Sequence, residues 1–373
     1  MRRVLLVVAV GLGVLTVAGL VLLWPTGRAA GDLAAAGMAD AQVGATVISL
    51  ETFPCPRGAA PEPGDPVPED PMPDDCATMT FRLDEGPDRG ERRSVDLFDL
   101  GARPPLSPGD RIVVPFVADA DEPFRYGQQF ERERGAPMLV LGVLFAALVV
   151  LQSRLRGLAA LAGLVASIAT IVVFVLPSLL EGRPPVAVAA VASSAIAFLA
   201  LYLAHGFSPL TTVALLGTLA SLLLVTALSW AFTRATVLSG FSDETQFLRV
   251  LGGEFDLRGL LLAGMILGAL GALDDMTVTQ AAAVAELRVA NPAYGPARLY
   301  RSGMRIGRDH VASTVNTLAL AYAGASLPLL LVFVGSRQSL GRVLTSEVVA
   351  TEVVRTLVGS IGLVAWGPQN TPP

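Results

Sequence analysis

The sequence predicts a polytopic α-helical membrane protein of about eight transmembrane helices, with a small all-β extracytoplasmic domain between the first and second. Three observations carry that prediction. Hydrophobic residues make up 53% of the chain and charged residues 16%, against about 25% charged in an average soluble domain. Apolar runs long enough to cross a bilayer recur from Pro137 to Trp366. Between the first such run and the others, residues 31–135 change to a period-two pattern broken by turns.

The first run, Val4 to Trp24, follows Arg2 and Arg3. A signal peptide's apolar core is usually about 7–15 residues, so this longer run reads as an uncleaved anchor over residues 1–30, with a cleaved signal as the alternative. The remaining runs are Pro137–Leu151, Leu158–Leu179, Pro185–Ala204, Leu210–Phe232, Leu257–Leu273, Val311–Val334 and Val348–Trp366. They form a seven-helix body over residues 136–373. Arginine-rich short loops stay on the cytoplasmic side. The largest cluster, Arg288, Arg298, Arg301, Arg305 and Arg308, falls inside if both termini are cytoplasmic.

Within residues 31–135, Gln42–Ile48, Thr78–Leu83, Ser94–Phe98 and Arg111–Phe116 alternate as short strands do, and Ser107-Pro108-Gly109-Asp110 is a turn. Four or five such strands predict a small barrel or barrel-like sheet. Pro54 to Asp75 holds eight prolines and six acids and is expected to be a mobile loop. Cys55 and Cys76 bracket it, which outside the cytoplasm predicts a disulfide; two unrelated thiols is the other reading.

Composition also removes function classes. All 27 basic residues are arginine, so there is no Schiff-base lysine and no lysine for a phosphate-binding loop. A closed zinc site would need His205, His310, Cys55 and Cys76 together, although the cysteines are expected across the membrane from the histidines. No metal or other cofactor is expected. With a net charge of −5 and no strongly basic domain, a nucleic-acid partner is not expected either.

The polar residues of the membrane body are the candidate site. Asp274 and Asp275 follow the apolar run Leu260–Leu273 and precede Thr277, Thr279 and Gln280. An ionised carboxylate at the bilayer centre costs on the order of 2.5–3.5 kcal/mol on insertion scales. A continuous helix over Leu257–Leu287 would be about 46 Å long, which leaves two placements. Either the pair emerges at the inner interface and ends the span, or the helix is shifted outward and both acids lie near mid-membrane. In the second case the two carboxylates would not both ionise easily, and one would hold a proton.

The following span offers His310, Thr314, Asn316 and Thr317 as neighbours, and the last span holds Glu352 and Arg355 at i, i+3 spacing. His205, in His205-Gly206-Phe207-Ser208-Pro209, breaks one helix and starts another, with Ser208 as cap and Pro209 at the first helical position. Asp243 and Glu244 sit on an external loop where an entry vestibule would be.

Gly268-Ala269-Leu270-Gly271-Ala272-Leu273-Asp274-Asp275-Met276-Thr277-Val278-Thr279-Gln280, followed by Glu286-Leu287, resembles the signature of YibE/F-like membrane proteins. His205-Gly206-Phe207-Ser208, Ser239-Gly240-Phe241-Ser242-Asp243-Glu244 and Ile306-Gly307-Arg308-Asp309-His310 through Asn316-Thr317-Leu318 are similar to that family too. The resemblance implies a bacterial inner-membrane protein with an N-terminal anchor, an external domain and a permease-like body. It supplies no substrate and no catalytic residue. The layout and the Gly-rich approach to an Asp pair also resemble proton-driven exporters of the resistance-nodulation-division type.

These readings favour a permease or secondary transporter of an unknown small solute or ion, embedded in the lipid bilayer, with Asp274 and Asp275 binding a proton or cation. The alternative is a non-transporting scaffold or sensor whose β domain binds an envelope partner. No enzymatic activity is expected. An aspartate dyad of the intramembrane-protease kind needs its carboxylates on two facing helices, whereas adjacent residues diverge by about 100° on one helix.

Overall fold

The computed structural model describes residues 2–27, 41–54, 75–97, 106–117, 126, 130–242, 245, 255–327 and 340–366. The chain divides into two compact units, Ala30–Phe145 and Met1–Ala29 with Ala146–Pro373.

The smaller unit is built on an antiparallel five-stranded sheet. Its strands are β1 (Ala41–Pro54), β2 (Asp75–Leu83), β3 (Arg92–Leu97), β4 (Arg111–Phe116) and β5 (Glu131–Arg132), in the order β3-β2-β1-β4-β5. Period-two alternation does what it should: Val43, Ala45, Val47, Met79, Phe81, Leu83, Leu97, Ile112 and Val114 all fall in one buried cluster. The register pairs Val47 with Phe81 and Ala45 with Ile112, and shifts between Val47 and Ser49. That irregularity lets Val47 bond the turn before β4, where Gly109 takes a positive φ of 96° and donates to the Val47 carbonyl at 2.8 Å. Cys76 is buried and disulfide-bonded. Cys55, the other cysteine of the chain, and most of the Pro-rich segment lie outside the described residues.

The larger unit is helical: α1 (Arg2–Leu23), α2 (Gly135–Thr170, whose first eleven residues fall in the smaller unit), α3 (Leu176–Leu180), α4 (Pro185–His205), α5 (Pro209–Ala235), α6 (Leu257–Ala290), α7 (Pro296–Ala325), α8 (Leu340–Thr345) and α9 (Glu347–Trp366). A π-helical turn, Ile171–Val175, joins α2 to α3. Among the described residues six helical stretches are long and apolar enough to span a membrane. Their surfaces fit lipid: on α1 and α2, Val7, Leu15, Leu22, Leu139, Leu151 and Val165 are exposed, an arrangement tolerable only in an apolar solvent.

Two expected spans, Pro137–Leu151 and Leu158–Leu179, fall within one of the six stretches, Gly135–Leu180. Arg154 interrupts it with φ 53° and ψ −128°, where a non-glycine residue is strained. The expected span Val311–Val334 begins in α7, whose first half is too charged to qualify, and runs into 328–339, outside the described residues. Asp243 and Glu244 are outside them also.

Helix packing relies on small residues, as expected where lipid removes the hydrophobic drive between helices. Ala189, Ala192, Ser193, Ala195 and Ala197 are buried on α4 together with the larger Val188, Ile196 and Leu201. Gly13 of α1 approaches Phe198 of α4, and Thr16 hydrogen-bonds Ser194 at 2.7 Å. Ser208 caps α5 by accepting from the Thr211 amide at 3.1 Å, with Pro209 in the first turn as its sequence predicts. The core around α6 contains Met265, Ile266, Leu273 and Met276, packed with Val225 of α5 and Val354, Val358 and Leu363 of α9.

Candidate functional site in the helical unit

The 34-residue α6 is continuous through Asp274 and on to Ala290. Two contacts register it against α5. Thr218 Oγ1 lies 2.6 Å from Thr277 Oγ1, and Arg258 Nε donates to the Leu238 carbonyl at 3.0 Å. The helices are therefore antiparallel, and Asp274 falls level with Ser221 and Leu222 in the central turn of α5, about 20 Å from either end of that helix. The segment after the aspartates stays packed: Met276, Thr277, Gln280, Ala281 and Val284 are buried.

Asp274 is half-buried, and its Oδ1 is shielded with no hydrogen-bond partner among the described residues. One turn on, Thr277 is 1% exposed; its hydroxyl contacts Thr218 and donates to the Asp274 carbonyl at 3.1 Å. The next turn brings Gln280, also 1% exposed, whose Nε2 donates to the Gly303 carbonyl of α7 at 2.6 Å. Gln280 Oε1 has no partner among the described residues. Gly303 and Gly307 of α7 are both buried, and a Cβ at 307 would stand 2.9 Å from Gln280 Oε1. The missing side chains let α7 approach closely enough to hold the amide.

Asp275 points elsewhere. Its side chain is 69% exposed and lies 3.8 Å from His310 Nε2 of α7. Thr279 is exposed as well. On α7, Thr314 is half-buried on the side of Val311 and Leu318, which pack into the core, and its hydroxyl bonds its own helix at the His310 carbonyl. Asn316 and Thr317 are exposed, and Thr317 bonds the Ser313 carbonyl. The structure thus shields Asp274, Thr277 and Gln280 on successive turns of α6, sets Asp275 beside His310, and leaves Thr279, Asn316 and Thr317 on an outward face. His205 is exposed at the end of α4. Glu352 and Arg355 of α9 pair at 2.9 Å, with Arg355 beside the Tyr322 ring of α7 at 5.8 Å and close to Gly264 of α6.

Thr218 and Gly303 carry no signal in the sequence, and Gly307 stands there only as part of the family-like motif Ile306–His310. Thr218 sits alone in an apolar run with nothing to mark it. The glycines do form a small-xxx-small pattern, Gly303-Met304-Arg305-Ile306-Gly307, but inside a segment whose arginines read as a loop.

The arrangement is a strip of side-chain oxygens along α6, two of them shielded acceptors without donors among the described residues. Leaving a buried acceptor unpaired costs about 1–3 kcal/mol. At Asp274 a proton or a small cation on the carboxylate would offset that cost. Among the described residues no group of three His, Cys, Asp or Glu side chains is placed to hold a metal ion.

A family model described as YibE/F-like protein matches residues 141–371. The chain belongs to the YibE/F-like family. The matched region contains α4 to α9 and so every residue of the candidate site. No curated protein and no solved structure matches, so the likeness to resistance-nodulation-division exporters gains no support.

Proposed function

We propose that this YibE/F-like protein is a secondary transporter of the bacterial inner membrane, in which Asp274 binds and releases a proton or small cation as the helices around it rearrange. The observation that carries this reading is the level of Asp274. A carboxylate opposite the middle of α5, with an unpaired shielded oxygen, sits where ionisable groups are costly and are usually kept for ion or proton pathways. The contacts Gln280–Gly303 and Asp275–His310 bring the exposed Arg305 and Arg308 of α7 alongside the turn that follows Asp274, so the candidate site stands between the middle of α5 and a charged end of the helices. His310 beside Asp275 adds a second polar pair next to Asp274 in sequence, on the exposed side of α6. This reading uses no covalent chemistry.

The test is proton or cation movement into proteoliposomes holding the full chain, driven by an imposed pH or sodium gradient. Asp274→Asn should abolish the flux while the protein inserts normally, and Asp275→Asn should only slow it. Equal flux in wild type and Asp274→Asn would end the proposal. A second reading, a sensor acting through its β unit, is favoured by that unit's compactness. Deleting residues 30–133 while keeping α1 should then remove all activity, whereas a transporter should keep part of its flux.

A further inference from the structure

We infer that the start of α7 and the end of α6 form a binding site for the phosphate of an anionic phospholipid headgroup. A cleft of about 660 Å³ opens there, lined by Arg298, Arg301 and Arg305 with Tyr294, Ser302, Leu287 and Ile306. The arginines recur at 298, 301, 305 and 308, a spacing of three and four that puts all four on one side of α7. Arg288 closes the group from α6, donating to the Tyr294 carbonyl, and Arg298 stacks over the Tyr294 ring at 4.2 Å. The connecting turn is thereby fixed around the cleft.

None of these five arginines has a carboxylate partner among the described residues, although Glu286 and Asp309 lie close in sequence. Three guanidinium groups lining one cleft, Arg298, Arg301 and Arg305, favour an anion there. Phosphate suits them, since the planar fork of arginine donates two parallel hydrogen bonds to it. The position and the lining favour a lipid over free phosphate. The Thr218–Thr277 register puts Leu287 level with the start of α5, at an end of the bundle where headgroups would lie. Leu287 and Ile306 give the cleft an apolar wall beside its charges, as a phosphate joined to acyl chains requires.

The test uses the full chain purified in a neutral detergent, with binding followed as phosphatidylglycerol, phosphatidylcholine or inorganic phosphate is titrated in. Phosphatidylglycerol should bind at least tenfold more tightly than phosphatidylcholine. Arg301→Gln with Arg305→Gln should erase that preference, while Arg89→Gln with Arg92→Gln, the same charge loss on the β unit, should retain it. Single Arg305→Gln carries the test if the pair fails to fold. Arginine-dependent binding of inorganic phosphate alone, at strength equal to the lipid, would support the phosphate site and assign it to the free anion. No preference for phosphatidylglycerol, or one that survives in the arginine variants, overturns the inference.

Discussion

Replacing Gly307 with alanine should break the contact that fixes α7 to α6. The added methyl would stand 2.9 Å from Gln280 Oε1 and 3.1 Å from both Cδ and Nε2 of the same amide. That amide is 1% exposed and has nowhere to retreat. Overpacking by one methyl costs about 1–3 kcal/mol, and losing the buried Gln280–Gly303 hydrogen bond about 1–3 kcal/mol more. The two overlap, so a total of about 2–4 kcal/mol is expected. Gln280→Ala should cost about 1–2 kcal/mol by itself, since Gly303 remains in its helix, and it vacates the space that the methyl needs. The double variant should therefore be about as stable as Gln280→Ala. Unfolding midpoints in one detergent at one scan rate give the comparison, with circular dichroism checking helix content. Midpoint losses that simply add, with coupling under about 0.5 kcal/mol, would refute the packing argument.

Other consequences are as specific. Thr277→Val strands the Thr218 hydroxyl at 0% exposure and should cost about 1–3 kcal/mol; adding Thr218→Val should restore most of the midpoint, and failure to do so would deny that the two hydroxyls pair. Glu347 Oε1 accepts from the amides of Ser239 and Gly240 at 2.7 and 2.9 Å, so Glu347→Ala should speed hydrogen exchange at those amides at least tenfold, whereas unchanged exchange would mean the bonds are not held in solution. Single cysteines at 274, 277 and 280 in inverted vesicles should resist a membrane-impermeant thiol reagent that readily labels position 288. Rapid labelling at all four would move the aspartates to the interface.

Much of this architecture was legible in the residues because local chemistry decided it. Alternation from Val43 to Val47 and from Met79 to Leu83 placed β1 and β2, and Ser208-Pro209 marked the start of α5. The site was legible only along one helix. Asp274, Thr277 and Gln280 could be picked out because polar side chains interrupt an apolar run. The separation of Asp274 from Asp275 could not, since it depends on where α5 and α7 contact α6. Tertiary packing likewise turns Asn316 and Thr317 outward. The break at Arg154 falls between the expected spans Pro137–Leu151 and Leu158–Leu179, where Arg154, Arg156 and Gly157 interrupt the apolar run. Glu347 reads as an ordinary first-turn acid until the loop at Ser239 folds onto it.

Exchange of a proton or cation at Asp274 would leave a direct spectroscopic signature. Infrared difference spectroscopy on the full chain in lipid, recorded across a pH titration, reads the carboxylic-acid carbonyl stretch directly and needs no knowledge of the substrate. Wild type should show a carboxyl band that titrates and that shifts or weakens with an added coupling cation; the band should be missing from Asp274→Asn and present in Asp275→Asn. An identical titration in wild type and Asp274→Asn would contradict exchange at Asp274.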